Sequence, residues 1–153
     1  MKILLVIDIQ EKYLSYYDAG LLNRINARII AAKSENTNIF YVRNIGSQGD
    51  NDSYALAKEL LIVSDHIYEK KFPSAFTNIS FVKELKNLDV ADMEIVGVDG
   101  NSCVKKTCID ASESGYKVTL NINCIGARNT KIFEKTISGL SEQGIAISNF
   151  SLK

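Results

Sequence analysis

The sequence predicts an α/β protein built as a doubly wound (Rossmann-like) six-stranded parallel sheet, with helices on both faces and the strand order 3-2-1-4-5-6. Short, continuously apolar runs are typical of strands that helices cover on both faces, and residues 3–7 form the clearest one. Such runs alternate with helical segments along the chain, which favours right-handed crossovers between parallel strands. No internal repeat or low-complexity segment competes with this interpretation.

In the first half of the chain, apolar spacing and turn residues determine the predicted elements. Strands are expected at residues 3–7, 39–42 and 66–69, a helix at 21–32, and a short helix at 54–61. The intervening segment 46–53 is rich in Gly, Asp, Asn and Ser and is predicted to form a loop. The third strand has to end before Pro73, because proline cannot continue a helix or a central strand.

The second half repeats the alternation. Helices are expected at residues 81–88, 103–114 and 130–140, and strands at 93–98, 117–120 and 145–148. Asn78 is a candidate N-cap for the first of these helices, and Gly115 is expected to end the second.

Composition indicates one globular domain, 1–153, that acts on small molecules. The 153 residues are 46% hydrophobic and 24% charged, enough to bury a single core. Eighteen basic residues balance eighteen acidic ones, and no basic run exceeds two residues, so no footprint for nucleic acid is present. The expected partners are a small-molecule substrate and further copies of the chain, as a homo-oligomer (dimer or higher).

The apolar runs and the cysteine spacing indicate the cellular compartment in which the protein is expected. The apolar start of the chain is interrupted by Asp8 and predicts a buried strand, not a signal peptide, and no run approaches the ~20 residues of a membrane-spanning helix. The three cysteines lack the spacings of a disulfide scaffold or a zinc site. We therefore expect a cytoplasmic protein without membrane association.

Three chemically useful residues follow predicted strands. Asp8 ends the first strand, Lys70 ends the third, and Cys103 follows the fourth after a short Gly-containing turn. Because the carboxyl ends of parallel strands meet at one edge of a sheet, where ligands bind in such folds, the three side chains are expected at one rim.

Taken singly, each residue also has an ordinary interpretation. Asp8 fits a helix N-cap or a turn, although a carboxylate after an apolar run is costly to bury unless it is paired or used. Lys70 fits a solvated surface lysine. Cys103 begins a helix, where N–H groups and the helix dipole favour a thiolate, whereas Cys108 and Cys124 fit small buried apolar residues.

Together, three motifs resemble the isochorismatase-like cysteine hydrolases, a family that includes nicotinamidases and N-carbamoylsarcosine amidases. The strand ending in Asp, then a hydrophobic residue and Gln, is Val6-Ile7-Asp8-Ile9-Gln10 here. The Lys followed by Ser-Ala-Phe is found in residues 70–76, and the Gly-Val, turn, Cys-Val, Thr, Asp-Ala segment in residues 97–111. The motifs occur in the family's order and cover nearly the whole chain.

The resemblance implies a catalytic triad of Asp8, Lys70 and Cys103. Such enzymes are cysteine hydrolases of the amidase type, which cleave a C–N bond of a small amide, ureide or carbamoyl compound through a thioester and need no cofactor. The resemblance also implies oxyanion donors at the N–H groups of Asp99 and Cys103, beside a cis peptide between Val98 and Asp99. Pocket walls are expected from Gln10, Tyr13, Phe72 and Ser102.

Departures from the family pattern restrict the reactions that the chain is expected to catalyse. Gly100 stands where the family has a threonine, which removes any hydrogen bond from that hydroxyl. Nicotinamidases hold a metal with an Asp-x-His pair and a further histidine, whereas His66 is the only histidine here, so no metal is expected. The vinyl-ether chemistry of true isochorismatases does not use a cysteine, and Cys103 argues against it.

Two other classes of function compete with an enzyme. A catalytically inactive family member would serve as a small-molecule-binding or scaffold protein, and Gly100 together with a short lid gives this alternative its weight. A nucleotide-binding domain is disfavoured, because Asp8-Ile9-Gln10-Glu11 follows the first strand in place of a Gly-rich phosphate loop.

Overall fold

A computed structural model describes residues 1–49 and 51–150. The strands are β1 (Lys2–Ile7), β2 (Asn38–Asn44), β3 (Ile67–Lys70), β4 (Asp92–Val98), β5 (Lys117–Gly126) and β6 (Ala146–Ser148). The α-helices are α1 (Leu21–Ser34), α2 (Ile79–Asn87), α3 (Cys103–Glu113) and α4 (Thr130–Glu142). Short 3₁₀ helices span Leu14–Tyr16, Asp52–Tyr54 and Ala75–Thr77.

The six strands form one sheet in the order β3-β2-β1-β4-β5-β6, and every pair is parallel. This confirms the predicted fold and strand order. Strand β1 lies in the middle, and its residues from Ile3 to Ile7 are at most 1% exposed, which explains their uninterrupted apolar run.

Local signals set two helix ends as predicted. The Asn78 side chain accepts a hydrogen bond from the Phe81 N–H and caps α2. Gly115 follows the end of α3 with φ 92°, a left-handed conformation that glycine adopts without steric cost.

Two predicted elements differ from the structure. The helix expected at 54–61 is wrong: after Tyr54 the chain runs beside the segment that follows β1, and the Ala57 N–H donates to the Ile9 carbonyl. Backbone groups used in this long-range pairing cannot form helical bonds. Strand β5 extends to Gly126 rather than to 120, because Asn121 finds a buried partner in Glu94 and does not interrupt the strand.

Candidate active site

The three strand-end residues meet at one edge of the sheet. Lys70 Nζ donates a hydrogen bond to Asp8 Oδ2 at 2.9 Å and another to Cys103 Sγ at 3.3 Å. The Lys70 side chain is 0% exposed and that of Asp8 is 4% exposed. Lys70 therefore bridges the side chains of Asp8 and Cys103, which are 95 positions apart in the sequence (103 − 8).

Asp8 is held by an unusual backbone conformation. Its φ is 54°, in the left-handed region that aspartate tolerates better than most residues, and its N–H donates to the Val42 carbonyl at 2.9 Å. Gly97 on the neighbouring strand makes this corner possible, because a Cβ there would lie 2.1 Å from the Ile7 carbonyl oxygen. The close approach of β1 and β4 thus positions Asp8.

The Asp8 carboxylate has one unused oxygen. Oδ1 is buried and has no hydrogen-bond partner among the described residues. Burial raises the pKa of Asp8, and the charge and hydrogen bond of Lys70 oppose this rise without reversing it. A buried acceptor without a donor is costly, and such groups are concentrated at functional sites.

The environment of Cys103 favours the thiol over the thiolate. Burial raises its pKa, the negative charge of Asp8 raises it further, and Lys70 lowers it. This differs from the thiolate that the helix terminus alone suggests, because desolvation and the adjacent carboxylate outweigh Lys70. A neutral thiol beside one carboxylate and one ammonium leaves the buried cluster without net charge.

The two other cysteines differ from Cys103. Cys108 and Cys124 are buried, and burial raises their pKa to about 12 and about 11, respectively. Cys103 is only partly buried and is the one cysteine that contacts a cation through its sulfur in the described structure.

A tight turn connects β4 to Cys103. The Val98–Asp99 peptide is cis, the isomer that the resemblance implies, and the Gly100 N–H donates to the Gly126 carbonyl at 2.8 Å. Within residues 1–49 and 51–150, the N–H groups of Asp99 and Cys103 donate to no protein acceptor. Two donors at the two ends of this turn are therefore free to bind a ligand.

Phe133 occupies the space beside Gly100. A Cβ on Gly100 would lie 2.5 Å from Cε1 of the Phe133 ring and 3.0 Å from Ile125. A side chain at position 100 would therefore require the Phe133 ring of α4 to move.

A cavity of about 290 Å³ opens onto the sulfur. It is lined by Asp8, Tyr13, Tyr17, Asn44, Val98, Asp99, Ser102, Cys103 and Arg128. A groove of about 510 Å³ adjoins it, with Ser102 common to both, and Phe72 lines this groove with 61% of its surface exposed.

The expected pocket walls are thus only partly found in the cavity. Tyr13 and Ser102 line it, Phe72 lies in the adjoining groove, and Gln10 does not reach it. Gln10 is fully buried: Nε2 donates to the carbonyls of Asn44 and Tyr54, and Oε1 accepts from the Asn44 N–H. Its amide binds the carbonyl and the N–H of Asn44 at the end of β2, where no further strand residue is available to pair with these backbone groups.

Three cavity residues were not predicted from the sequence. Asn44 ends β2 at the same edge as Asp8, so the strand-end rule could have identified it. Tyr17 and Arg128 come from loops, where no periodicity marks a side chain as pocket-facing. Asp99 joins these loops, since its carboxylate accepts from the Tyr17 hydroxyl at 3.2 Å and from the Arg128 N–H at 2.9 Å.

The residues around the cavity do not fit a metal. No group of three or more His, Cys, Asp or Glu is placed to hold an ion in the described part of the chain. His66 immediately precedes β3 and stacks on Phe40 with ring centroids 4.3 Å apart, whereas Lys70 ends that strand about 13 Å further along.

Comparisons with known proteins agree with this architecture. The family model described as the isochorismatase domain matches residues 2–149. No curated protein sequence matches the chain significantly. None of the helices in the described residues is long and apolar enough to cross a membrane.

Solved structures share the fold at low sequence identity. A pyrazinamidase of Pyrococcus horikoshii, in complex with zinc, is 20% identical with a TM-score of 0.84, over 97% of this chain and 99% of that chain. An isochorismatase-like hydrolase from Alkaliphilus metalliredigens is 17% identical with a TM-score of 0.86, over 97% and 91%. A nicotinamidase from Bacillus subtilis is 16% identical with a TM-score of 0.79, over 97% and 99%. Because the alignment spans 99% of the pyrazinamidase, the chain is not short relative to that structure.

Proposed function

Because the chain belongs to the isochorismatase domain family, we propose that it is a cysteine hydrolase that cleaves a C–N bond of a small amide, ureide or carbamoyl compound. One observation carries the proposal: Lys70 Nζ contacts both the Asp8 carboxylate and the Cys103 sulfur in a buried corner that opens onto a cavity. A nucleophile, a base and a cation in mutual contact are the components of nucleophilic acyl transfer.

Asp8 serves as the proton carrier in this mechanism. As the Cys103 sulfur forms a bond to the substrate carbonyl carbon, Asp8 takes the thiol proton and the carbonyl electrons move to oxygen. When the C–N bond breaks, Asp8 gives the proton to the departing nitrogen and a thioester remains. Water then attacks the thioester, Asp8 removes its proton, the C–S bond breaks, and the proton returns to the sulfur.

The electrostatics of the corner support these roles. Oδ1 of Asp8 has no hydrogen-bond partner among the described residues and can accept a proton. The raised pKa of Asp8 makes its carboxylate a stronger base, as a group that both takes and returns a proton requires. Lys70 offsets the negative charge that moves between Asp8 and the sulfur. The N–H groups of Asp99 and Cys103 are free to receive the carbonyl oxygen as it becomes negative.

Alkylation tests the nucleophile. We expect iodoacetamide at neutral pH to modify Cys103 far faster than Cys108 or Cys124, because Asp8 can accept the proton of Cys103 while the other two thiols are buried. Peptide mass spectrometry after timed quenching measures the three rates. Equal rates at all three cysteines would contradict an activated Cys103.

A turnover screen tests the reaction itself. The chain and its Cys103→Ala variant are incubated with a panel of small amides, ureides and carbamoyl compounds, and ammonia release is measured. Turnover by the wild type that the variant lacks supports the proposal, and turnover that survives in the variant contradicts it. Light scattering on the same samples tests the predicted homo-oligomer.

The alternative, a catalytically inactive small-molecule-binding or scaffold protein, has one specific observation in its favour. The family threonine is Gly100 here, and Phe133 fills the space beside it. An inactive member predicts slow alkylation of Cys103 and no release of ammonia from any compound in the panel.

A further inference from the structure

The Asp99 carboxylate connects three loops at the edge of the cavity. It accepts hydrogen bonds from the backbone N–H of Asn101 at 2.8 Å, from the backbone N–H of Arg128 at 2.9 Å, and from the Tyr17 hydroxyl at 3.2 Å. These donors lie in the turn before α3, in the loop before α4 and in the loop before α1, respectively. The orientation of Asp99 is therefore set by contacts from three separate segments of the chain.

Tyr17 supplies the one side-chain donor among these three. Its ring packs against the end of β5, since a Cβ on Gly126 would lie 2.8 Å from Tyr17 Cδ1. The Gly126 carbonyl in turn accepts the Gly100 N–H. Burial and the negative charge of Asp99 raise the pKa of Tyr17, so its hydroxyl remains protonated and donates at neutral pH.

The loop that carries Tyr17 is anchored on both sides of this residue. The Tyr17 N–H donates to the Leu14 carbonyl at 3.1 Å. The next residue, Asp18, forms an ion pair of 2.7 Å with Arg24, whose Nε donates to the Asn123 carbonyl of β5 at 2.7 Å. The Tyr17 hydroxyl is thus presented to Asp99 from a fixed backbone.

The backbone of Asp99 faces the reaction in the proposed mechanism. Its N–H has no protein acceptor among the described residues, and Asp99 lines the cavity that opens onto Cys103. An oxyanion donor is effective only when it already points at the position that the negative oxygen will take. The carboxylate and the N–H of Asp99 are attached to the same Cα, so contacts that hold the carboxylate also restrict the direction of the N–H.

We propose that Tyr17 is a positioning residue of this site: its hydroxyl holds the Asp99 carboxylate and thereby aims the Asp99 N–H at the oxyanion that forms when Cys103 attacks a carbonyl. This inference rests on the proposed function, since it requires acyl transfer to Cys103. Tyr17→Phe removes one of the three contacts to the carboxylate and leaves the ring packed against Gly126.

Two reagents that react with the same sulfur test this inference without knowledge of the substrate. With 4-nitrophenyl acetate, the sulfur bonds to the carbonyl carbon, the carbonyl oxygen gains negative charge, 4-nitrophenolate leaves, and a base takes the thiol proton. With iodoacetamide, the sulfur bonds to the CH₂ carbon and iodide leaves, so no carbonyl oxygen gains negative charge. Only the acylation by 4-nitrophenyl acetate uses the oxyanion donors.

Both second-order rate constants are measured in the wild type and in Tyr17→Phe, with Cys103→Ala as the background. We expect acylation to slow about tenfold in Tyr17→Phe, because a donor is misdirected and not removed, while alkylation stays within about twofold. An unchanged acylation rate overturns the inference. An equal loss of both rates also overturns it, because Tyr17 would then act on the sulfur and not on the oxyanion.

Tyr41→Phe is the matched control for the loss of a bonded tyrosine hydroxyl. The Tyr41 hydroxyl donates to the Leu61 carbonyl at 2.6 Å and accepts from the Val63 N–H at 3.1 Å, and Tyr41 does not line the cavity. Its substitution should lower the free energy of unfolding and change neither rate. If Tyr41→Phe slows acylation as much as Tyr17→Phe does, the effect is one of general stability and the inference is overturned.

A double-variant cycle tests whether Tyr17 acts through Asp99. Asp99→Ala removes the acceptor of the Tyr17 hydroxyl, so adding Tyr17→Phe to Asp99→Ala should slow acylation by no more than about twofold further. Losses that multiply across the two residues overturn the inference and leave the hydrolase proposal intact. A wild-type Cys103 that reacts with neither reagent overturns both.

Discussion

Two buried ion pairs lie toward opposite ends of the strands and differ in how completely their polar atoms are satisfied. Arg28 binds Glu94 through two hydrogen bonds of 2.7 Å, one to each carboxylate oxygen, and Asn121 donates a third at 3.1 Å. Lys70 binds Asp8 through a single bond, and the other Asp8 oxygen has no partner among the described residues.

The two carboxylates consequently differ in their pKa shifts. Burial opposes the charged form of Glu94, but the hydrogen bonds from Arg28 and Asn121 outweigh it, so the pKa of Glu94 is lowered. Burial dominates at Asp8, and its pKa is raised. A saturated pair stabilises the fold, whereas an unsaturated pair keeps an acceptor available for reaction.

The largest effect should come from replacing Asp8, the proposed proton carrier. Asp8→Asn keeps the shape of the side chain and a hydrogen-bond acceptor for Lys70, but it cannot take a proton. We expect kcat/KM to fall by about 10³-fold, equivalent to about 4 kcal/mol. Turnover of the best compound from the screen measures this, and Glu94→Gln is the control that should keep its activity. A fall of less than tenfold would show that Asp8 is not the proton carrier.

Substitution in the Arg28–Glu94 pair should lower the stability of the protein and leave its activity unchanged. Glu94→Gln removes the buried carboxylate that binds Arg28 and leaves only the exposed Glu35, 3.5 Å away, as a charged partner. We expect the free energy of unfolding to fall by about 3 kcal/mol. Urea unfolding followed by circular dichroism measures the change. An unfolding free energy within about 0.5 kcal/mol of the wild type would mean that this pair does not stabilise the fold.

Double substitutions test whether each pair acts as a unit. Removing Lys70 leaves Asp8 next to the sulfur without a cation, so Asp8→Ala/Lys70→Ala should be no more than about threefold worse in kcat/KM than the poorer single variant. Arg28→Ala/Glu94→Ala should show the same non-additivity in unfolding free energy instead. Losses that multiply across Asp8 and Lys70 would show that the two residues work independently.

The smallest expected effect is on the pH dependence of stability. Its direction should be opposite for the two pairs, because the pKa of Glu94 is lowered and that of Asp8 is raised. Glu94 has a folded pKa below its ordinary value of 4.5, so its contribution is present above pH 4.5 and is lost as pH falls through the folded pKa. Asp8 has a folded pKa above 3.8, so its contribution is present below pH 3.8 and is lost as pH rises through the folded pKa.

Urea unfolding at a series of pH values from 7 to about 3 measures both slopes. As pH falls, the deficit of Glu94→Gln should narrow, because the wild type loses the ionised Glu94. Over the same range, the difference between wild type and Asp8→Asn should move in favour of the wild type, since protonation relieves the buried charge. Slopes of the same sign would contradict the assigned pKa shifts.

The sequence was sufficient for features that depend on neighbouring residues or that follow from the geometry of a parallel sheet. Residues 3–7 could be assigned as a strand because a doubly covered strand needs apolar side chains on both faces. Asp8, Lys70 and Cys103 could be grouped because parallel strands bring their carboxyl ends to one edge. The motif resemblance separated Lys70 from its neighbour Lys71, which periodicity alone does not do.

Only the tertiary structure decided what depends on contacts between distant segments. Gln10 fastens the end of β2 instead of facing the cavity, and the segment after Tyr54 pairs with the backbone beyond β1 instead of forming a helix. Arg128 becomes a pocket cation because Asp99 binds its backbone and Tyr16 stacks on its side chain. The raised pKa of Cys103 likewise depends on burial and on the charge of Asp8, which is 95 positions away in the sequence (103 − 8). Desolvation and hydrogen-bond satisfaction are properties of the assembled environment, and a single sequence position does not contain them.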